Sequence, residues 1–90
     1  SSERCSRYVI IHSVYSQKAG HYQGLTFDPL IENNITNVTE LLSVGDKVEK
    51  CIDGTSIVAS IVLEFDTIEE LYAYMPKIMD YVHVELSNLT

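Results

Sequence analysis

The sequence predicts an α+β fold: a mostly antiparallel β-sheet with one main C-terminal helix packed on one face. Three observations lead to this prediction. Short segments rich in β-branched and aromatic residues recur along the chain, turn signals separate them, and a long amphipathic helical pattern begins only after residue 66. Strands that neighbour one another through tight turns, followed by a helix, are typical of α+β rather than of alternating α/β architecture.

The first half of the chain is predicted to hold three strands and one short helix. Residues 7–15 form a strand with apolar residues on both faces, and we expect it to be covered on both sides. A second strand over residues 21–27 is expected to pair with the first as a hairpin. Asp28 then caps a helix of one or two turns that begins at Pro29, and residues 35–43 supply a third strand.

The second half contains the most hydrophobic strand. A turn at residues 44–47 leads to a short strand over 48–52, and Asp53-Gly54 is a hairpin turn signal. Residues 55–65 form a short segment that is rich in β-branched residues and bounded by turns. We therefore expect them to form the central strand of the sheet.

A capping box marks the start of the main helix. The Thr67 hydroxyl is expected to accept from the Glu70 amide, and the Glu70 carboxylate to return a bond to the Thr67 amide. The helix should extend to about Asp80, and Pro76 should kink or split it. Its predicted buried face consists of apolar residues at helical spacing, namely Leu71, Met75, Ile78, Met79 and Val82. The chain then returns to the sheet edge over residues 81–86.

Size and charge narrow the function classes. Ninety residues allow one small domain, and 46% hydrophobic with 21% charged residues indicate a globular one. A net charge of -7, from 6 basic and 13 acidic residues, disfavours nucleic acid and anionic membranes as partners. No signal peptide or membrane-spanning run is visible in the sequence. We expect a single domain over residues 7–86, a disordered or expression-derived segment over 1–6, and a tail over 87–90.

No set of residues in the sequence forms a recognised active site. Cys5 and Cys51 follow no metal or redox spacing, and the carboxylates occupy turn, cap or surface positions. We therefore predict no catalytic, cofactor-binding or metal-binding residue. His21, next to a glycine at a strand edge, is the candidate for a residue close to a substrate or partner, whereas His12 and His83 are expected to be structural or surface residues.

Several segments of the sequence resemble one known family. In chain order they are Leu41-Leu42-Ser43-Val44-Gly45-Asp46-Lys47-Val48, Asp53-Gly54-Thr55, Ile57-Val58-Ala59-Ser60-Ile61-Val62, Thr67-Ile68-Glu69-Glu70-Leu71 and Val82-His83-Val84. Together they are similar to the C-terminal subdomain of ATP-grasp carboxylate–amine ligases, including the L-amino-acid ligase group. Two features depart from that pattern: Ala59 or Ser60 stands where a glycine is often found, and Pro76 interrupts the helix.

The resemblance covers residues 7–86 and implies a function for the chain only as part of a larger enzyme. In this family the ATP cradle, the metal-binding Glu and Asn and the basic phosphate contacts lie upstream of the subdomain, so none is carried over to a residue here. The resemblance implies a non-catalytic module that packs against the ATP-grasp body and supports its lid. ATP and Mg²⁺ are implied as cofactors of the parent ligase, and the implied location is cytoplasmic.

Two alternatives follow from the residues themselves. The chain can be a small stand-alone α+β module for protein interaction or regulation, whose exposed strand edge pairs with a partner strand or forms a homodimer. Sequons at Asn34, Asn37 and Asn88 define a secreted glycoprotein as a further hypothesis, although Asn and Thr are also common at turns. A ligase fragment would instead expose an apolar patch where its body packs.

Overall fold

The computed structural model describes residues 8–49 and 57–88. These residues contain six strands and three short helices. The strands are β1 (Tyr8–Tyr15), β2 (Gly20–Phe27), β3 (Ile35–Glu40), β4 (Lys47–Val48), β5 (Ile57–Phe65) and β6 (Val82–Ser87). The helices are α1 (Pro29–Glu32), α2 (Ile68–Tyr74) and α3 (Ile78–Tyr81), with a 3-10 turn at Met75–Lys77 between α2 and α3. Every strand pair is antiparallel, so the predicted α+β class is confirmed.

The first two strands do not pair with each other, so the predicted hairpin between them is wrong. β1 pairs instead with β5, with Tyr8 opposite Phe65, and β2 pairs with β4 and β6. The result is two three-stranded sheets, in the orders β1-β5-β3 and β4-β2-β6. With this pairing, residues of both sheets and of the helices contribute to one hydrophobic core, which buries more apolar surface than a local hairpin does.

One hydrophobic core joins the two sheets. β5 lies at the centre of its sheet, as predicted, and its buried residues largely alternate along the strand. The buried core residues are Val14, Tyr22, Ile31, Val48, Val58, Ala59, Ile61, Leu63, Phe65, Leu71, Ile78 and Val82. Because this set draws on both sheets and on all three helices, the described residues share a single core.

The outer face of β1 is open to solvent, although the sequence predicts cover on both sides. Val9 is 51% exposed and Ile11 is 73% exposed. In the β1–β5 register, Ile11 lies opposite Val62, which is half-buried. The main helix covers only one face of this sheet, so these β-branched side chains remain on an uncovered face.

The capping signals of both predicted helices form. Asp28 accepts a hydrogen bond from the Leu30 amide at 2.9 Å at the start of α1. The Thr67 hydroxyl accepts from the Glu70 amide at 3.1 Å at the start of α2. The returning bond differs from the prediction by one residue, because the Glu70 carboxylate accepts from the amide of Asp66, at 3.3 Å, and not from that of Thr67.

Pro76 splits the main helix, as predicted. α2 ends at Tyr74, the proline lies in the 3-10 turn, and α3 begins at Ile78. A 3-10 turn has about three residues per turn instead of 3.6, so it changes the direction of the side chains that follow. Ile78 is buried, as predicted, but Met79, which follows the turn and is also predicted to face the core, is 63% exposed. Met75, at the start of the turn, is 45% exposed as well, contrary to the prediction.

A loop between β3 and β4 is fastened to β2. The Gly45 amide donates to the Tyr22 carbonyl at 2.7 Å, and the Tyr22 amide donates to the Asp46 carbonyl at 2.8 Å. Gly45 adopts a φ of 97°, which disfavours other residues, and the Ser43 amide donates to the Asp46 carboxylate at 2.8 Å. The predicted turn is therefore present, and β3 ends at Glu40, three residues before the predicted end.

Some predictions fall outside the described residues. These are the N-terminal segment over 1–6, the Asp53-Gly54 turn, and both cysteines, Cys5 and Cys51. Of the short strand predicted over 48–52, Val48 lies in β4, Glu49 follows the strand, and residues 50–52 lie outside the described ranges. Within the described ranges, no helix has the length and apolar character needed to cross a membrane.

Candidate functional site

A cleft of about 450 Å³ lies between β1 and β6. Its walls are residues 12–15 of β1 and 82–84 of β6, and the loop after β1 and part of α3 complete it. Successive residues of a strand point to opposite faces, so a wall made of consecutive residues is a strand edge rather than a sheet face. β1 and β6 are edge strands of the two described sheets, and the cleft therefore separates two strand edges.

The cleft brings together two histidines from distant parts of the sequence. His12 lies on β1 and His83 on β6, and both line the cleft together with Lys18 and Asp80. Burial lowers the pKa of His12, because removal from water disfavours the charged imidazolium. His12 is half-buried in this wall, and its structural role stays a prediction.

The buried hydroxyl in the cleft, that of Ser16, makes hydrogen bonds to the neighbouring main chain. Ser16 is 1% exposed. Its hydroxyl donates to the Lys18 carbonyl and accepts from the Lys18 amide at 3.2 Å. Nucleophilic catalysis needs a base within hydrogen-bond reach of the hydroxyl, and here the Ser16 hydroxyl instead closes the turn after β1.

Side chains of the types that can bind a metal ion are dispersed over the described residues. In residues 8–49 and 57–88, no group of three or more His, Cys, Asp and Glu side chains is placed to hold a metal ion. The cleft contributes His12, His83 and Asp80 to its lining without gathering them into such a group. The arrangement therefore offers an open, mixed polar and apolar surface rather than a coordination site.

His21, the predicted substrate-proximal residue, does not line the cleft. It lies on β2, opposite Lys47 on one side and opposite Ser87 on the other. Its Nδ1 atom lies 3.1 Å from the main-chain oxygen of Asn88. The structure thus places His21 beside a lysine and the end of β6, and its proximity to a substrate stays a prediction.

The pairing of Tyr22 with Glu40 is a feature that the sequence does not reveal. Tyr22 is fully buried, and its hydroxyl donates to the Glu40 carboxylate at 2.6 Å. Burial, then the hydrogen bond and the negative charge of Glu40, raise the pKa of Tyr22 well above its usual value. The sequence predicts Glu40 only as an exposed strand residue; it is exposed, but it also ties β3 of one sheet to β2 of the other.

Comparisons with known proteins find a similarity between the fold of this chain and part of a solved structure. No protein-family model matches the sequence, and the search of curated proteins found no match. Among solved structures, the phosphoribosylglycinamide synthetase from Anaerococcus prevotii is similar, with a TM-score of 0.60 and 12% sequence identity. The match covers 88% of this chain and 20% of that chain.

The structural match shows that this chain shares the fold of a segment of the synthetase chain, and it supports an ATP-grasp-like fold. An identity of 12% is a likeness of fold alone and carries neither a subfamily nor an activity. The chain spans about a fifth of the length of the synthetase chain it matches. This likeness supports the ATP-grasp part of the resemblance drawn from the sequence, whereas the C-terminal subdomain of a carboxylate–amine ligase stays a prediction.

Proposed function

We propose that this chain is the non-catalytic C-terminal subdomain of an ATP-grasp carboxylate–amine ligase, where it packs against the ATP-binding body and supports its lid. The observation that carries the proposal is the fold match, which spans 88% of this chain but only 20% of a synthetase chain. A segment of this relative size is expected of one domain among several in an enzyme. In this proposal, ATP and Mg²⁺ bind to the body of the parent ligase.

The use of the polar side chains supports a structural role. Burial in the cleft wall lowers the pKa of His12, and the Ser16 hydroxyl closes a turn. The Tyr22 hydroxyl joins the two sheets through Glu40. In this proposal these three side chains, which could otherwise take part in chemistry, stabilise the fold, as expected of a packing module.

The open face of β1 offers a surface for the ligase body. Val9 and Ile11 are exposed on this face, and Val62 of the neighbouring β5 lies opposite Ile11. Adjacent exposed apolar residues on one sheet face are typical of a contact site, whereas isolated ones are ordinary. We propose the body as the occupant, because about four fifths of the matching synthetase chain lies outside the matched segment.

Replacing Ile11 with lysine tests this contact. In the 90-residue chain, Ile11→Lys should lower the free energy of unfolding by about 1 kcal/mol or less, because the side chain is largely exposed and only strand propensity changes. In the protein encoded by the full reading frame, the same change should lower the midpoint of thermal unfolding and the ligase activity markedly, since it places a charge in an apolar contact. Differential scanning fluorimetry and an ATP-dependent ligation assay measure both effects.

The matched control is Tyr72→Lys, which adds the same charge at an apolar residue that is 64% exposed on α2. It should leave both proteins close to wild type. An Ile11→Lys variant of the longer protein that behaves like the Tyr72→Lys control contradicts the proposed contact. A reading frame without an upstream nucleotide-binding segment contradicts the ligase assignment and favours the stand-alone interaction module.

A further inference from the structure

The edge of β3 differs from the other strand edges of the described sheets. The edges of β1 and β6 face the cleft. The edge strand β4 has only two residues, one of them Lys47, and short or lysine-bearing edges resist pairing. β3 has six residues, of which all but the first are exposed. In the described sheets it pairs with β5 along one edge, and its other edge borders no described strand.

The composition of β3 favours pairing with another strand. The strand reads Ile-Thr-Asn-Val-Thr-Glu, so four of its six residues are β-branched. It contains no Lys, Arg, Pro or Gly, the residues that usually protect an edge strand or weaken its pairing. One irregularity is present, a register shift between Ile35 and Asn37. This leaves residues 37–40 as a regular, nearly uncharged edge.

The hydrogen-bond pattern identifies which main-chain groups face that edge. The Leu41 amide donates to the Val58 carbonyl at 2.9 Å, so Leu41 is bonded to the β5 side. In an antiparallel ladder, alternate residues bond to the same neighbour. Asn37 and Thr39 therefore bond toward β5, whereas Val38 and Glu40 present their N–H and C=O groups to the opposite edge.

We propose that β3 pairs with β3 of a second copy of this chain, antiparallel about a two-fold axis at Val38. In this register Val38 lies opposite the same residue of the second copy, and Glu40 lies opposite Thr36. The pairing would join two sheets into one continuous sheet of six strands, β1-β5-β3-β3-β5-β1. A two-fold interface uses the same surface on both copies, and the β3 edge is self-complementary in this way.

Charge explains why the pairing should use this edge. Two copies of net charge -7 repel each other, so a stable contact must keep like charges apart. β3 carries a single charged residue, Glu40. In the proposed register the two Glu40 residues are separated by four residues along the strand, about 14 Å. This distance exceeds the screening length of about 8 Å at physiological ionic strength, so their repulsion is small.

The interface should be weak and dependent on concentration. One pair of six-residue strands buries less than the roughly 1,200 Å² of total surface at which stable interfaces begin. The Val38–Val38 contact at the axis adds one β-branched cross-strand pair, which stabilises the contact only slightly. The dimer should therefore form at high protein concentration and dissociate on dilution.

Sedimentation equilibrium of the 90-residue chain, from about 10 µM to about 1 mM, tests the proposal. The weight-average mass of the wild type should rise from that of a monomer toward that of a dimer. Val38→Lys places two ammonium groups opposite each other at the axis and leaves the main-chain bonds to β5 intact. It should raise the dissociation constant at least tenfold, whereas Tyr72→Lys, with the same charge change at an exposed residue of α2, should not.

Hydrogen exchange locates the interface independently of any variant. The amides of Val38 and Glu40 should gain protection as the wild-type concentration rises, and those of β6 should not. A mass that stays monomeric through this range overturns the proposal, as does a Val38→Lys variant that dimerises like the wild type. Concentration-dependent protection confined to β6 also overturns it, because it would assign pairing to the cleft edge.

Discussion

Truncation of Phe65 to alanine is expected to lower the free energy of unfolding by about 3–5 kcal/mol. Phe65 is the last residue of β5 and is 1% exposed. Its ring stacks on Tyr74 of α2, with ring centroids 5.7 Å apart and planes 19° apart. Tyr74 in turn forms a T-shaped pair with Tyr81 of α3, with ring centroids 6.3 Å apart. The truncation opens a cavity where the β1-β5-β3 sheet meets the helices, and removes the aromatic contact as well.

The size of this loss is large for so small a domain. Native domains have total stabilities of about 5–15 kcal/mol, so Phe65→Ala removes a substantial share. Urea unfolding followed by circular dichroism measures it. Phe65→Leu should cost clearly less, since it leaves a smaller cavity, and Tyr72→Ala, on the exposed face of α2, should stay within about 0.5 kcal/mol of wild type. A Phe65→Ala variant as stable as Tyr72→Ala contradicts the described core.

The stability of the fold is expected to fall as the pH rises above about 10, the ordinary pKa of tyrosine. Burial, together with the bond to Glu40, raises the pKa of Tyr22 in the folded protein. Above pH 10 the unfolded chain therefore releases the Tyr22 proton while the folded protein keeps it. Because the unfolded state then binds fewer protons, the free energy of unfolding decreases as the pH increases. Below pH 10 the contribution of the Tyr22 bond is fully present.

Tyr22→Phe isolates this contribution. The ring stays in the core, but the hydroxyl that donates to Glu40 is lost, so the free energy of unfolding at neutral pH should fall by about 1–2 kcal/mol. In the variant, the free energy of unfolding should also fall less steeply above about pH 10, because the contribution of Tyr22 to that decrease is gone. Urea unfolding between about pH 8 and pH 11 compares it with wild type, and Tyr72→Phe serves as the surface control. An alkaline decline that is unchanged in Tyr22→Phe contradicts the role of this bond.

The sequence predicts the local features of this fold well, because their signals lie within a few residues. The caps at Asp28 and Thr67 form as the side-chain chemistry requires, and Pro76 divides the helix. The apolar, β-branched run of β5 takes the central place in its sheet. The caps and the helix break depend on neighbouring residues and on general backbone chemistry, and the apolar composition of β5 by itself favours a buried strand.

Strand partners and long-range side-chain contacts are harder to predict from the sequence, because they depend on residues far apart in the chain. β1 pairs with β5, not with the strand that follows it, and the alternation of a strand does not name its partner. The same long-range pairing brings His12 and His83 to one cleft and Tyr22 to Glu40. The exposure of Met79 has a different cause, since the 3-10 turn changes the helical phase that periodicity assumes.

Nucleotide titration most directly tests the central proposal, that this chain is the non-catalytic part of an ATP-grasp ligase. Isothermal titration calorimetry would compare MgATP binding by the 90-residue chain and by the protein encoded by the full reading frame. We expect saturable binding by the longer protein and no binding heat from the 90-residue chain. Saturable binding of MgATP by the 90-residue chain itself would contradict the account, because it would place a nucleotide site among residues that we assign to packing.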